Sequence, residues 1–188
     1  MTKMDISIAI LCGGRSRRFG TDKTLFEYKG KPLYRHLYDK LSKLSDDIFI
    51  QCGKKDSSLY GVKCHNDDYL DLGPIGGIYS ALKSSRHNRT FVVGCDMPNI
   101  EASFVELLSS YDADIVVPVW ENGYYEPLSA VYSKKIVPYL EYNIVTGNLK
   151  ISQIFEENDV KKISIESLIS QGLIDKFTFK NVNRPDDI

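Results

Sequence analysis

Four stretches of this chain are almost unbroken apolar: I-S-I-A-I-L at 6–11, D-I-F-I-Q-C at 47–52, F-V-V-G-C at 91–95 and D-I-V-V-P-V at 114–119. A strand with one wet face alternates polar and apolar residues, whereas a run without alternation must be covered on both faces. The full set of strand-like segments is 6–12, 47–52, 62–65, 90–95, 113–119, 128–132 and 177–182. Helical patterns fall between them. In P-L-Y-R-H-L-Y-D-K-L, Leu33, Leu37 and Leu41 recur every fourth residue with Tyr34 and Tyr38 beside them, and Pro32 suits a first helical position. I-G-G-I-Y-S-A-L, A-S-F-V-E-L-L-S-S and N-L-K-I-S-Q-I-F-E-E read as further helices. Strands alternating with helices predict an α/β fold of three layers, αβα, around a mainly parallel sheet. With no repeat, low-complexity tract or linker, residues 1–188 are expected to form a single domain.

In such sheets ligands bind beyond the carboxyl ends of the strands. Three segments are expected on that rim: the loop after the first strand, D-D-Y-L-D-L-G-P-I-G-G after the third, and C-D-M-P after the fourth. The first is the most unusual. I-L-C-G-G-R-S-R-R-F-G-T-D-K places Gly13 and Gly14 straight after the strand, then Arg15, Arg17, Arg18 and Lys23 within nine residues. Glycines let peptide N–H groups approach a phosphate closely, and the cations neutralise its charge. One ion pair at about 4 Å is worth roughly 4 kcal/mol before desolvation, at an effective dielectric near 20. The spacing is neither that of a Walker A loop nor the dinucleotide G-x-G-x-x-G pattern. A solvated basic turn is the plainer alternative.

The cluster stands out because the chain is otherwise balanced. Its 24 Lys and Arg against 25 Asp and Glu give a formal charge of −1, without the basic surplus of an extended nucleic-acid binder. No apolar run approaches the roughly 18–20 residues that span a bilayer. The N-terminal M-T-K-M-D-I-S-I-A-I-L enters strand and glycine without a long apolar region or a small-residue cleavage site, so neither membrane nor nucleic acid is expected as a partner and a cytoplasmic location is. Cys12, Cys52, Cys64 and Cys95 lack the C-x-x-C or Cys/His spacing of a zinc site and read as small packing residues in a reducing compartment. His36, His65 and His87 pair with no Ser or Cys constellation and read as packing or surface residues. Asp96 in C-D-M-P reads equally as a turn or cap aspartate and as a metal ligand.

The run L-C-G-G-R-S-R-R-F-G-T-D-K resembles the L-A-G-G-x-S-x-R-M-G-x-D-K signature of the molybdenum cofactor guanylyltransferase family (MobA family), within the wider nucleotidyltransferase fold. The resemblance continues in order through G-P-I-G-G-I, C-D-M-P, E-P-L-S-A-V-Y and the closing N-V-N-R-P-D-D-I. It implies a Rossmann-like nucleotidyltransferase fold and an enzyme that transfers GMP from GTP to molybdenum-bearing molybdopterin, with release of pyrophosphate and use of Mg²⁺. Protein partners in molybdoenzyme maturation belong to the same implication. Carried over residue by residue, it implies that Leu11, Cys12 (where Ala is usual), Gly13, Gly14 and Lys23 hold the nucleotide, together with Asp67 and Gln51. Asp96 is the implied Mg²⁺ ligand, with Lys23 and Arg18 neutralising the triphosphate. Asn181 and Asn183 are implied near the metal and acceptor, and their spacing puts both on one face of an extended chain. Phe19 replaces Met and Arg184 replaces Thr in the pattern. Tyr124 and Tyr125 either stack on a flat pterin or pack. A cytidylyltransferase or other small-metabolite nucleotidyltransferase is the near alternative; a nucleotide-sensing protein without turnover is the distant one.

Overall fold

The computed structural model describes residues 3–13 and 26–182. Four parallel strands build one half of the sheet: β1 (Ser7–Leu11), β4 (Asp47–Gln51), β5 (Cys64–His65) and β6 (Arg89–Gly94). The apolar runs do what their lack of alternation requires. Every residue of β1 and β4 is buried, as are five of the six in β6. The second half adds β7 (Ile115–Val119), β8 (Ser129–Ser133) and β9 (Val160–Ser164). Strand order is β5-β4-β1-β6-β8-β7-β9, with β8 antiparallel to both its neighbours and the other pairings parallel. A two-residue ribbon, β2 (Glu27–Tyr28) with β3 (Lys31–Pro32), precedes the first helix.

Helices cover both faces. On one, α1 (Leu33–Leu41), α3 (Ala102–Ser109) and α6 (Ile165–Ser170) contribute Tyr34, Leu37, Leu41, Phe104, Leu108 and Leu168 to a core with Ile8, Ile10, Ile50 and Phe91. On the other, α2 (Pro74–Ser84), α4 (Val137–Val145) and α5 (Ile151–Glu157) pack Ile75, Ile78, Leu82, Leu140 and Phe155 against Leu11, Phe49, Val92 and Ile115. The three-layer α/β arrangement and mainly parallel sheet are those the sequence predicts. No helix among the described residues is long and apolar enough to cross a membrane.

Two expectations need correction. The segment 177–182 is not a strand. Thr178 and Lys180 close tight turns onto Asp175 and Phe177, and the backbone then crosses the rim, where Val182 N–H donates to the Asp96 carbonyl at 2.8 Å. Its apolar residues are anchors rather than a pleat: Phe179 meets Phe104 and Trp120 edge-on, while Val182 joins Tyr28 and Leu33. The outer strand is instead β9, whose Lys161 and Lys162 are exposed and break the apolar pattern, as suits a sheet edge. Pro32 sits just before α1 rather than in its first turn.

Helix α2 shows why G-P-I-G-G-I is written as it is. Gly73, with φ 70°, turns the chain into the helix, and Pro74 occupies its first position. A Cβ on Gly77 would stand 3.1 Å from a Leu11 methyl, and one on Gly76 3.0 Å from the Tyr69 carbonyl. The bare helix surface therefore lies against the end of β1, its first turn free of acidic side chains.

Candidate active site on the strand-end rim

Because β1, β4, β5 and β6 run parallel, the loops that leave them open on a single rim. The first carries Leu11, Cys12 and Gly13. Leu11 and Cys12 are buried, Cys12 N–H donates to the Gln51 carbonyl at 2.8 Å, and Gly13 is exposed. A Cβ on Gly13 would face the Gly53 backbone at 3.4 Å and Asp67 Oδ2 at 3.6 Å. The strand end, the β4 loop and the β5 loop thus meet at one point. Gly14, Arg18 and Lys23 lie outside the described residues, as does Asn183.

Gln51 and Asp67 form a pair. Gln51 Nε2 donates to Asp67 Oδ1 and to the Asn66 carbonyl, both at 2.9 Å, and Asp67 N–H donates to the Gly53 carbonyl at 2.9 Å. Gln51 is 1% exposed, and its Oε1 is buried without a hydrogen-bond partner among the described residues. Its geometry supports holding Asp67 rather than reaching into the cleft. Burial pushes the Asp67 carboxyl up; hydrogen bonds from Gln51 and the Gly53 backbone pull it back, and Asp68 raises it again. Asp68 is exposed, its N–H held by Ser80 Oγ at 2.9 Å, so Asp67 is the aspartate turned to the glycine loop.

Asp96 follows β6, the strand beside β1. Leu11 is opposite Gly94, and Cys95 N–H donates to the Leu11 carbonyl at 3.1 Å. The candidate metal loop is therefore the immediate neighbour of the glycine loop. The Asp96 carboxylate folds back over the strand end: Oδ1 lies 2.6 Å from where a Gly94 Cβ would be. Gly94→Ala fits the strand backbone but must push that carboxylate aside. We expect melting within a few degrees of wild type and turnover lower by about ten- to hundred-fold, the effect of misplacing a catalytic group by about 1 Å. Unchanged turnover would mean that this carboxylate position is irrelevant. Asn181 is exposed next to Val182, whose N–H bonds the Asp96 carbonyl, so the C-terminal segment arrives at the same loop.

Sequence reasoning passed over Glu126 and Trp120. Trp120 Nε1 donates to Glu126 Oε1 at 2.8 Å. Burial pushes the Glu126 carboxyl up, this hydrogen bond lowers it, and the Asp96 charge raises it again. The signal was the antiparallel strand after E-P-L, which an apolar run cannot reveal. The tyrosines divide: Tyr125 packs on Phe155 with ring centroids 4.7 Å apart, whereas Tyr124 is 73% exposed. His36 bonds the Tyr28 carbonyl, His65 stands edge-on to Phe49, and His87 pairs with Asp5 and Asp46. All four cysteines are free thiols.

A family model described as the MobA-like NTP transferase domain matches residues 8–162, which span the glycine loop, Asp67, Asp96 and Glu126. The chain belongs to that family. This MobA-like chain is 37% identical to a probable molybdenum cofactor guanylyltransferase of Pyrococcus horikoshii over 98% of both chains. It is 36% identical to a protein of the same description from Thermococcus kodakarensis, over 96% of this chain and 90% of the other. Among solved structures it is similar to molybdopterin-guanine dinucleotide biosynthesis protein A from Archaeoglobus fulgidus, with TM-score 0.81 and 29% identity over 96% of this chain and 94% of that one. A CMP:2-keto-3-deoxy-manno-octonic acid synthetase complexed with CTP, at TM-score 0.66 and 11% identity, shares the fold alone.

Chemically, the rim offers exposed backbone, the start of a helix and carboxylates. The first turn of α2 favours negative charge. Asp96 supplies a hard oxygen donor, and the described residues contain no group of three or more His, Cys, Asp or Glu able to cage a metal. That donor set fits a hard divalent cation held mostly by substrate phosphates and waters.

Proposed function

We infer that this chain is a molybdenum cofactor guanylyltransferase: it transfers GMP from GTP to the terminal phosphate of molybdenum-bearing molybdopterin. An acceptor phosphate oxygen forms a bond to the α-phosphorus of GTP while the bond from that phosphorus to the β-phosphate bridge breaks, and pyrophosphate leaves with the electron pair. The acceptor is already an anion, so no residue has to remove a proton to make the nucleophile. What the enzyme must do is bring two anions together and bear the charge on the leaving group. The observation that carries this reading is the adjacency of the glycine and Asp96 loops on neighbouring strands, joined by the Cys95–Leu11 backbone bond.

The residue roles are those the family resemblance implies, and the adjacency supports them for Leu11, Cys12, Gly13 and Asp96. Leu11, Cys12, Gly13 and Gly14 provide a close backbone approach for the nucleotide, and Lys23 with Arg18 screens its triphosphate. Asp96 holds Mg²⁺, which, when bound, draws charge from the α-phosphate and the departing pyrophosphate. Asn181 and Asn183 orient the acceptor phosphate beside Asp96, since an amide can both donate and accept. Asp67, pinned by Gln51, takes the base. A carboxylate only accepts, which suits the adjacent N1–H and 2-amino donors of guanine; cytosine offers one amino group.

A panel of nucleoside triphosphates with Mg²⁺ and the molybdenum-bearing acceptor, scored by pyrophosphate release, tests the assignment. GTP should be the preferred donor. Asp67→Asn, which turns acceptor oxygens partly into a donor, should lower kcat/KM for GTP by about ten- to hundred-fold, the worth of a charged hydrogen bond. Equal use of CTP and GTP by the wild type, or an unchanged GTP preference in the variant, would remove the base-reading role. GTP binding with no product in the presence of acceptor would favour a sensor over an enzyme.

A further inference from the structure

Two of the buried polar atoms that lack a partner among the described residues belong to neighbouring residues of β4 and β5: Gln51 Oε1 and His65 Nε2. In the parallel β4–β5 ladder Gln51 is paired with His65, and Cys52 N–H donates to the His65 carbonyl at 2.9 Å on that rung. Residues paired across parallel strands point to the same face, here the one covered by α2, where Phe49 packs. The His65 ring accordingly meets Phe49 edge-on, 5.1 Å between centroids, two residues before Gln51. The Gln51 amide is oriented by its other end. Nε2 donates to the Asn66 carbonyl and to Asp67 Oδ1, both at 2.9 Å, so turning the amide over would aim its oxygen at two acceptors. Oε1 therefore has to find a donor of its own.

His65 carries the complement. Burial pulls its imidazole below the usual 6.5, as does the Lys63 charge, while Asp47 raises it. A neutral ring has one N–H to give. Neighbouring strands run about 4.8 Å apart, so a small turn of the imidazole brings Nε2–H onto Oε1. We propose that His65 is a positioning residue for the base site: its Nε2–H donates to Gln51 Oε1 and holds the amide in the one orientation that keeps Nε2 on Asp67. The proposal rests on the reading of Asp67 as the carboxylate that takes guanine. Without this donor the amide turns away to satisfy its oxygen, and Asp67 loses the group that aims it. A histidine that only packs on Phe49 would have no bearing on which base is accepted.

The test compares kcat/KM for GTP and for ITP, which lacks the 2-amino group assigned to Asp67, in the full chain with Mg²⁺ and the acceptor. His65→Leu keeps an apolar contact with Phe49 but has no donor. It should raise KM for GTP about three- to ten-fold, the share of a neutral hydrogen bond, with kcat within about two-fold. The GTP-over-ITP preference should fall by about three-fold or more. His65→Gln, whose amide nitrogen stands in for Nε2, should restore both to within about two-fold of wild type. A loss shared equally by GTP and ITP, or no rescue by glutamine, overturns the proposal. Asp67→Asn serves as the reference. If it reduces the preference while His65→Leu stays within about two-fold of wild type, the His65 role is overturned and the Asp67 reading stands. If Asp67→Asn itself leaves the preference unchanged, both fail. Should His65→Leu unfold, ¹⁵N NMR of the wild-type ring decides: the proton must sit on Nε2, and an Nδ1–H tautomer overturns the proposal.

Discussion

Asp96→Ala is expected to lower kcat by about two to three powers of ten at saturating Mg²⁺, the loss typical when a group that stabilises transition-state charge is removed. The reason lies in the kind of reaction proposed. Neither reactant needs a proton moved, so the barrier is dominated by the approach of two anions and by charge on the departing pyrophosphate. Asp96 is the carboxylate assigned to the cation that bears this charge. The contact tying the C-terminal segment to this loop runs from Val182 N–H to the Asp96 backbone carbonyl, which alanine retains. Affinity for a GTP analogue without metal should be unchanged or slightly tighter, since a negative charge beside the phosphates is gone. A variant turning over within a few-fold of wild type would reject the metal role.

The chain's β1, β4 and β6 were legible because burial on both faces leaves a mark that survives in one dimension: apolar residues without alternation. Gly73, Pro74, Gly76 and Gly77 were legible as a motif, though the reason for each glycine, the Leu11 methyl and the Tyr69 carbonyl, is visible only in space. Strand β9 was not legible, because an edge strand is allowed to be short and to carry lysines. The segment 177–182 misled for the converse reason. Its spaced apolar residues imitate a pleat, but Phe179 and Val182 bind two different clusters, and Phe177 is 52% exposed. The candidate site divides in the same way. Gly13, Asp67 and Asp96 sit at the ends of strands that can be read, so their convergence follows from parallel packing. Glu126 depends on β8 running against its neighbours, and the sequence carries no local sign of strand direction.

At the opposite end of the strands, Asp47→Asn should cost about 2–3 kcal/mol of stability at pH 7 and about half of that at pH 3. Asp47 is 1% exposed where β4 begins. Burial alone would push its carboxyl up, but hydrogen bonds from Lys63 Nζ at 2.6 Å, Ser7 Oγ at 2.6 Å and Arg86 N–H at 2.8 Å outweigh it. They bring the carboxyl from an ordinary 3.8 down to about 2. A carboxylate with a depressed folded value stabilises the fold above its unfolded value and loses that contribution as pH falls through the folded one. Its share is therefore complete by about pH 5 and gone below about pH 2. Asparagine has no charge to lose, so the wild-type advantage should shrink over that window. The neighbouring His87 works with the opposite sign. The Asp46 hydrogen bond raises it first, burial lowers it, and Asp5 raises it further. Its contribution is full below the ordinary histidine range near 6.5 and declines as pH rises through the raised value. Urea unfolding of wild type and Asp47→Asn at pH 7 and pH 3 separates the two groups. An equal penalty at both pH values would show that Asp47 acts through packing and neutral hydrogen bonds, not through its charge.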